Sequence, residues 1–500
     1  MSSVTDPRIV IIGGGFAGIG CAIELQNHGF RNITILERGE DLGGTWFYNT
    51  YPGAACDVPS HLYSFSFATR RTWTRLCSPQ QEILDYLHEV ARDHDVDELV
   101  ETGVEVASCD WDDGERHWTV TATDERTWEA DAVVVATGQL HRLAYPRVEG
   151  IDDFEGPSFH SAQWRHDVDL TGKRVAVIGT GASAVQFVPE IAKVAGKLHV
   201  FQRTGNWFMP RRNRRYPPGI KQAIRYLPGV QELRRRYIYN YGELLTAMIR
   251  HPRTFGRVGK LRSTLFMRWQ LRDAELRRKV WPDYTFGCKR VLFSSAWLPA
   301  LQRPNVELVT DPITRVTRDG VVTADGLERE VDVVIYGTGF KPADFMLPME
   351  IRGTGGTRLA DVWSQGAHAH LGVAVPGFPS MFLMYGPNTN TSGGSIIVYL
   401  EAQAAYIRQA LQHVRGRGAA AIDVRPEAEA ASDRDVQARF AGTAWTQCDS
   451  WYRDENGRIV TNWPGYMREY VAQTAQLDPA QFTFVERTSD AEPQPESAAA

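Results

Sequence analysis

Two short apolar runs, each closing on a glycine-rich turn, constrain this chain more than any other feature. The first is Arg8-Ile9-Val10-Ile11-Ile12-Gly13, and Arg174-Val175-Ala176-Val177-Ile178-Gly179 repeats it. Each run predicts a parallel strand buried on both faces. A helix-compatible stretch follows each, Gly18 to Gly29 and Ala182 to Ala195. A further strand then follows each, Ile33 to Glu37 and Leu198 to Gln202. Strand, helix and strand in this order make the βαβ unit of a doubly wound sheet. A second pair recurs in the same order. Asp131-Ala132-Val133-Val134-Val135-Ala136-Thr137-Gly138 resembles Asp332-Val333-Val334-Ile335-Tyr336-Gly337-Thr338-Gly339. Each predicts a late strand ending in a small-residue turn. Two different runs repeating in one order point to two α/β units. The 500 residues leave room for about three domains at roughly 150 residues each.

The turns carry chemistry. Gly13-Gly14-Gly15-Phe16-Ala17-Gly18 fits G-x-G-x-x-G between a strand and a helix. Gly13, Gly15 and Gly18 allow a tight turn and close approach of backbone to a pyrophosphate at a helix N-terminus. Glu37, 24 residues after Gly13, ends the next strand, where a carboxylate accepts hydrogen bonds from ribose hydroxyls. The second turn, Gly179-Thr180-Gly181-Ala182-Ser183-Ala184, has alanine at the third glycine position. Gln202 stands where Glu37 stood, and Arg203-Thr204 follows. A carboxylate there would repel a 2′-phosphate, whereas a guanidinium can pair with one. The second site is therefore expected to prefer NADPH over NADH, with Arg203 as a plain surface arginine the alternative. One dinucleotide site with a ribose acid and one suited to NADPH suggest a flavoprotein reduced by NADPH.

Between the halves of the second unit lies a segment rich in arginine and aromatics, about Pro210 to Phe286. It reads helical from Lys221 to Lys279 with Pro-Gly interruptions. Solvated basic faces are the simpler expectation, and a basic amphipathic surface for peripheral membrane contact is the alternative. The last residues, about Ser489 to Ala500, are expected to be a disordered tail. With 55 basic and 60 acidic residues the net charge is −5, so bulk attraction to nucleic acid is not expected. A hydrophobic share of 43% supplies cores and excludes wholesale disorder. Six cysteines stand at 21, 56, 77, 109, 288 and 448, none at local metal or dithiol spacing. The expectation is reduced thiols, no disulfide framework and no metal. No apolar run reaches the length of a membrane span and no signal peptide is read, so a cytoplasmic protein is expected.

Further segments resemble the type I Baeyer–Villiger monooxygenases, class B flavoprotein monooxygenases related to the flavin-containing monooxygenases. Phe154-Glu155-Gly156-Pro157-Ser158-Phe159-His160-Ser161-Ala162-Gln163-Trp164 matches the fingerprint F-x-G-x-x-x-H-x-x-x-W. The pattern usually continues with Pro or Asp, and Arg165 departs from it. Gly43-Gly44-Thr45-Trp46 and Tyr51-Pro52-Gly53-Ala54-Ala55-Cys56-Asp57 resemble a second signature. Gly287-Cys288-Lys289-Arg290 resembles the segment with the family's active-site arginine, and Gly386-Pro387-Asn388-Thr389-Asn390 the turn returning to the flavin. The matches run from Ile9 to about Tyr470.

The resemblance implies an α/β fold with two Rossmann-like dinucleotide-binding domains, one for FAD and one for NADPH, and a helical insertion in the latter. The FAD domain would span 1–145 and 336–488, the NADPH domain 151–209 and 287–335, and the insertion 210–286, leaving 489–500 as tail. It implies a ketone or aldehyde as substrate and O2 as co-substrate. The product would be an ester or lactone, formed through a C4a-peroxyflavin; heteroatom oxidation at nitrogen or sulfur is the alternative. Arg290 would supply a fixed charge to the reacting oxygens, with Asp57 as its counterion. Otherwise Arg290 is a surface cation and Asp57 a cap before Pro59. His160 is expected to matter for activity as a strut between domains. FAD contacts would come from Gly13, Gly15, Gly18, Glu37, Arg38, Thr45, Trp46, Asp57 and Tyr63, with Val106 near the adenine and Ile396 near the ring. Trp46 and Tyr63 could equally be core aromatics. NADPH contacts would come from Thr180, Gly181, Ser183, Arg203, Thr204, Lys289 and Arg290.

Overall fold

The computed structural model describes residues 6–487 except 212, 214 and 347; the expected tail lies outside the described residues. The first repeat folds as read. Strand β1 (Ile9–Ile12) feeds helix α1 (Phe16–Asn27), which leads to β2 (Ile33–Glu37). Strand β3 (Val100–Thr102) extends the sheet beyond β2, and β4 (Ala132–Val135) pairs with β1 on the other side, Ile9 against Ala132. All these pairings are parallel. Successive residues of β1 point to opposite faces, so Ile9 and Ile11 enter one core while Val10 and Ile12 enter another. This two-sided burial is why the strand reads as an unbroken apolar run.

The second repeat copies the first. Strand β5 (Ser158–His160) is followed by β6 (Arg174–Ile178), helix α2 (Ala182–Ile191), β7 (Lys197–Phe201), β8 (Val306–Val309) and β9 (Val333–Tyr336). The order across this sheet is β8-β7-β6-β9-β5. The chain then returns to the first sheet with β10 (Met381–Leu383), giving β10-β4-β1-β2-β3. The four strands β4-β1-β2-β3 and β9-β6-β7-β8 thus share one order, with β9 standing to β6 as β4 stands to β1. The edge strand enters late in the first sheet (β10) and first in the second (β5). An antiparallel hairpin set precedes each late strand, Val106–Ala130 in the first unit and Ile313–Glu330 in the second.

Packing explains why both echoes recur together. Gly13 adopts φ +114°, and a Cβ there would lie 2.6 Å from the Ala136 carbonyl oxygen. Gly179 adopts φ +107°, and its Cβ would lie 2.4 Å from the Gly337 oxygen. Each glycine turn therefore sits on the small-residue turn that ends the late strand, and neither tolerates a side chain.

Helix α2 stops at Ile191, short of the expected Ala195; the chain closes instead on a turn in which Val194 N–H donates to the Ile191 carbonyl. Among the described residues five α-helices lie between β7 and β8, and the three longest are α3 (Pro218–Tyr226), α4 (Val230–Arg250) and α5 (Phe255–Gln270). Leu227-Pro228-Gly229 separates α3 from α4, where Gly229 takes φ +77°. The long helix α6 (Ile396–Arg417) follows β10 and packs against α1. Among the described residues no helix is long and apolar enough to cross a membrane.

Candidate active site

A cavity of about 540 Å³ opens at the C-terminal ends of β1 and β2, where α1 begins. Its wall contains Gly13, Gly15, Glu37, Arg38, Thr45, Trp46, Tyr63, Val106 and Ile396. These nine sequence candidates, spread over almost 400 residues, thus share one cavity. Glu37 is buried at 5% exposure, and its two carboxylate oxygens accept the N–H groups of Gly14 and Gly39, each at 2.7 Å. The acid therefore also braces the glycine turn. Trp46 donates from its indole nitrogen to the Tyr63 hydroxyl at 3.2 Å, so these two aromatics are both core and cavity wall. Gly18 lies beneath the wall, where a Cβ would stand 1.9 Å from the Gly13 oxygen. The third glycine of the motif holds helix against turn. The cavity also takes in Thr137 and Gly138, from the small-residue turn of the repeated late strand, and Met349 and Tyr385, which no motif had marked.

This cavity fits a flavin dinucleotide. Gly15 lies close against Gly44, since a Cβ there would stand in van der Waals contact, 3.6 Å from the Gly44 Cα, so the turn presents bare backbone to the cavity. The α1 N-terminus faces the cavity through Phe16 and Ala17 and suits a pyrophosphate. The other wall carries the carboxylate and aromatics that a ribose and a flat ring need.

The second turn, with Thr180, Gly181 and Ser183, opens α2. Asn206 donates to the Thr180 carbonyl at 2.9 Å and ties the turn to the segment after Thr204. Gln202 is buried and donates to the Lys279 carbonyl at 2.8 Å, while the next residue, Arg203, is exposed. Lys289 stands over the Tyr284 ring at 4.9 Å. Burial and the nearby Arg203 push its ammonium below the usual lysine range, against Asp283 and Asp449. Two cations that repel each other across one surface suit a phosphate, which would relieve both.

Arg290 and Asp57, 233 residues apart, form an ion pair. Arg290 Nη2 lies 2.9 Å from Asp57 Oδ1 and 2.7 Å from Oδ2. The loop before Asp57 is docked on α2, where Gln186 accepts the Ala55 N–H and donates to the Ala55 carbonyl at 2.8 Å. Tyr51 also donates to Gln186, at 3.1 Å. A Cβ at Gly53, with φ +82°, would meet the Gln186 oxygen at 2.8 Å. Asp57 is therefore carried by the first unit but placed by the second. Burial pushes its carboxyl up, yet Arg290 and, more weakly, Arg211 outweigh burial and hold it below the usual range. The Asp57 charge keeps Arg290 well above the ordinary arginine value despite burial. The Arg290 side chain is 45% accessible and that of Asp57 is 18%, so the pair is open to solvent on the arginine side. Half-buried Tyr385 and buried Tyr452 flank Arg290; burial pushes Tyr452 up to about 12, and both hydroxyls stay protonated.

Arg211 was missed by sequence reasoning. Its guanidinium donates to the Cys56 carbonyl at 2.6 Å, behind Asp57. No spacing signal marks it within its arginine-rich stretch. His160, in β5, is fully buried. Its Nδ1 accepts the Ala162 N–H at 3.1 Å and its Nε2 donates to the Gly339 carbonyl at 3.0 Å. Burial lowers its pKa, against the Gly339 contact, so the ring is a neutral strut joining the fingerprint to the turn after β9.

The cysteine expectation needs correction. Cys288 and Cys448 form a disulfide, with Cα atoms 6.1 Å apart. Local spacing could not show it, because the fold brings together residues 160 apart in sequence. The bond joins the segment carrying Arg290 to the loop before Tyr452. The other four cysteines are buried free thiols. Alkylation of the denatured protein without reductant is expected to label four cysteines, and six after reduction. Six labels without reductant would show the bond is not formed.

Comparison with known proteins agrees with this geometry. Residues 10–228 match the family model described as pyridine nucleotide-disulphide oxidoreductase. A Baeyer–Villiger monooxygenase of Streptomyces coelicolor is 40% identical over 95% of this chain and 92% of its own. One of Pseudomonas aeruginosa is also 40% identical, over 94% of this chain and 90% of its own. Among solved structures, a closed cyclohexanone monooxygenase superimposes with a TM-score of 0.86 at 29% identity, covering 96% of this chain and 99% of that one. OTEMO in complex with FAD and NADP gives 0.86 at 28%, covering 96% and 100%. With two dinucleotide turns, an arginine paired to Asp57 and relatives matched along nearly their full length, this chain belongs to the Baeyer–Villiger monooxygenase family.

Proposed function

We propose that the protein is an FAD-containing monooxygenase that uses NADPH and O2 to convert a ketone or aldehyde to an ester or lactone. The Arg290–Asp57 pair at 2.7 Å carries this reading. Bound FAD would supply electron transfer from NADPH and the activation of oxygen. The chain supplies position and charge. The glycine turn and α1 hold the pyrophosphate, Glu37 the ribose, and Trp46 and Tyr63 the wall beside the ring. Arg203, Thr204 and Lys289 take the 2′-phosphate, beside Thr180, Gly181 and Ser183. Arg290 provides a fixed cation where negative charge develops on the substrate carbonyl oxygen, and Asp57 keeps it charged and oriented.

The roles assigned to His160, Val106 and Ile396 are part of this proposal, with His160 acting through the domain connection. So are the boundaries 1–145 and 336–488 for the FAD domain, 151–209 and 287–335 for the NADPH domain, and 210–286 for the insertion. A disulfide reductase reading is not favoured, because no cysteine lines the flavin cavity. The proposed location is the cytoplasm. A reducing cytosol would open the Cys288–Cys448 bond, so thiol counting bears on location as well.

In the test, ketones of several shapes are supplied with NADPH and O2, and all three are followed with the product. Equal consumption of NADPH and O2 with ester or lactone formed is expected. NADPH oxidation yielding only sulfoxides, N-oxides or hydrogen peroxide would contradict the reading. Arg203→Ala is expected to raise the KM for NADPH by about 10-fold or more, the size of one lost charge-assisted pair, and to leave that for NADH nearly unchanged. Equal losses with both coenzymes would remove the 2′-phosphate role.

A further inference from the structure

Helix α5 is packed inside out. At about 100° per residue, Gly256, Gly259, Ser263 and Met267 fall on one narrow arc, and all four are buried. Phe255, Val258, Leu261, Leu265 and Trp269 fall on an arc of about 120° on the opposite side. All five are exposed, from 49% at Phe255 to 75% at Trp269. The usual amphipathic arrangement turns such a stripe to the core. Here the helix cannot rotate to do so. A Cβ at Gly259 would lie 2.5 Å from the Phe286 ring, and one at Gly256 would lie 2.8 Å from the Met248 oxygen. The Ser263 hydroxyl, at the same face, donates to the Phe208 carbonyl at 2.8 Å. The small residues are required for close packing, so the apolar stripe is held outward.

The stripe is cationic as well as apolar. Arg262 falls within its arc, and Arg257 and Arg268 lie along its edge; all three are exposed. Helix α5 contains no acidic residue. Helix α4, packed against it, also leaves Leu233 69% and Tyr237 71% exposed.

We propose that this face docks on an anionic lipid bilayer, with α5 lying in the interface. The apolar side chains enter the headgroup boundary, Trp269 sits at the level its ring favours, and the arginines meet lipid phosphates. A second copy of the chain fits less well. A two-fold contact would bring Arg257, Arg262 and Arg268 against the same residues, with no acid on the helix to neutralise them. The protein as a whole is acidic, so the attraction belongs to this surface and not to bulk charge. No helix among the described residues spans a bilayer, so the contact is peripheral.

The FAD-loaded protein is sedimented with vesicles of phosphatidylcholine alone or mixed with phosphatidylglycerol. Binding to the mixed vesicles and not to phosphatidylcholine alone, weakened by salt, is expected. Leu261→Ser/Leu265→Ser and Arg262→Glu/Arg268→Glu should each weaken binding by more than about 10-fold, since both apolar insertion and charge contribute. NADPH oxidation in solution should be unchanged in both variants, which shows that they fold. Equal binding to both vesicle types, or none to either, would overturn the proposal. So would binding unaffected by the variants. A wild-type dimer in sedimentation velocity that the leucine variant converts to monomer would assign the face to a second copy instead.

Discussion

Arg290→Ala is expected to lower ester formation by about 10²- to 10³-fold while NADPH still reduces the bound flavin. The size follows from the environment. The guanidinium is only partly covered by protein, and Asp57 orients it from 2.7 Å, so its charge is held fixed where bound cofactor and substrate would cover it. A preorganised charge of this kind acts where the substrate oxygen becomes negative, and removing it affects that step selectively. Reduction of the flavin needs hydride transfer and not this charge, so its rate should stay within about threefold. The two rates separate a loss of chemistry from a loss of fold. Arg290→Lys should recover only part of the activity, because a compact ammonium cannot reproduce the guanidinium contact to Asp57. Unchanged ester formation in the alanine variant would remove Arg290 from the reaction. Equal loss of both steps would make it structural.

Gly18→Ala is expected to weaken FAD binding by at least about 100-fold, the equivalent of ~2.8 kcal/mol. The added methyl would stand 1.9 Å from the Gly13 carbonyl oxygen, closer than any contact allows. Either α1 moves away from the turn or the turn opens, and both displace the helix N-terminus from the pyrophosphate. The flavin-to-protein absorbance ratio of the purified variant measures the loss. Gly219→Ala is the control. It lies in the inserted helices with open space around its Cβ position, so FAD content should match the parent. A Gly18→Ala protein that keeps a full complement of flavin would contradict the close-packing account.

The two sheets were legible because their central strands are buried on both faces and so read as continuous apolar runs. Ile9–Ile12 and Arg174–Ile178 show this most clearly. The glycine turns were legible because backbone approach admits few residue types. Glu37 was legible for its place at a strand end, though its bracing of Gly14 and Gly39 was not. Contacts made between units left no local pattern. Gln186 positions the Asp57 loop from another sheet's helix, Arg211 backs that loop from the insertion, and Cys448 reaches Cys288 across 160 residues. Helix α5 shows another limit. Its periodicity marks two faces, but which face turns inward is decided by the space beside Phe286 and Met248.

The central claim is that the chain directs one atom of O2 into a carbonyl compound. The measurement that tests it most directly is turnover of a ketone with NADPH under ¹⁸O2, with the product read by mass spectrometry. The expected result is an ester or lactone carrying one ¹⁸O atom, with the label in the inserted ring or chain oxygen. Unlabelled product, or ¹⁸O found only in hydrogen peroxide while the ketone is recovered intact, would contradict it.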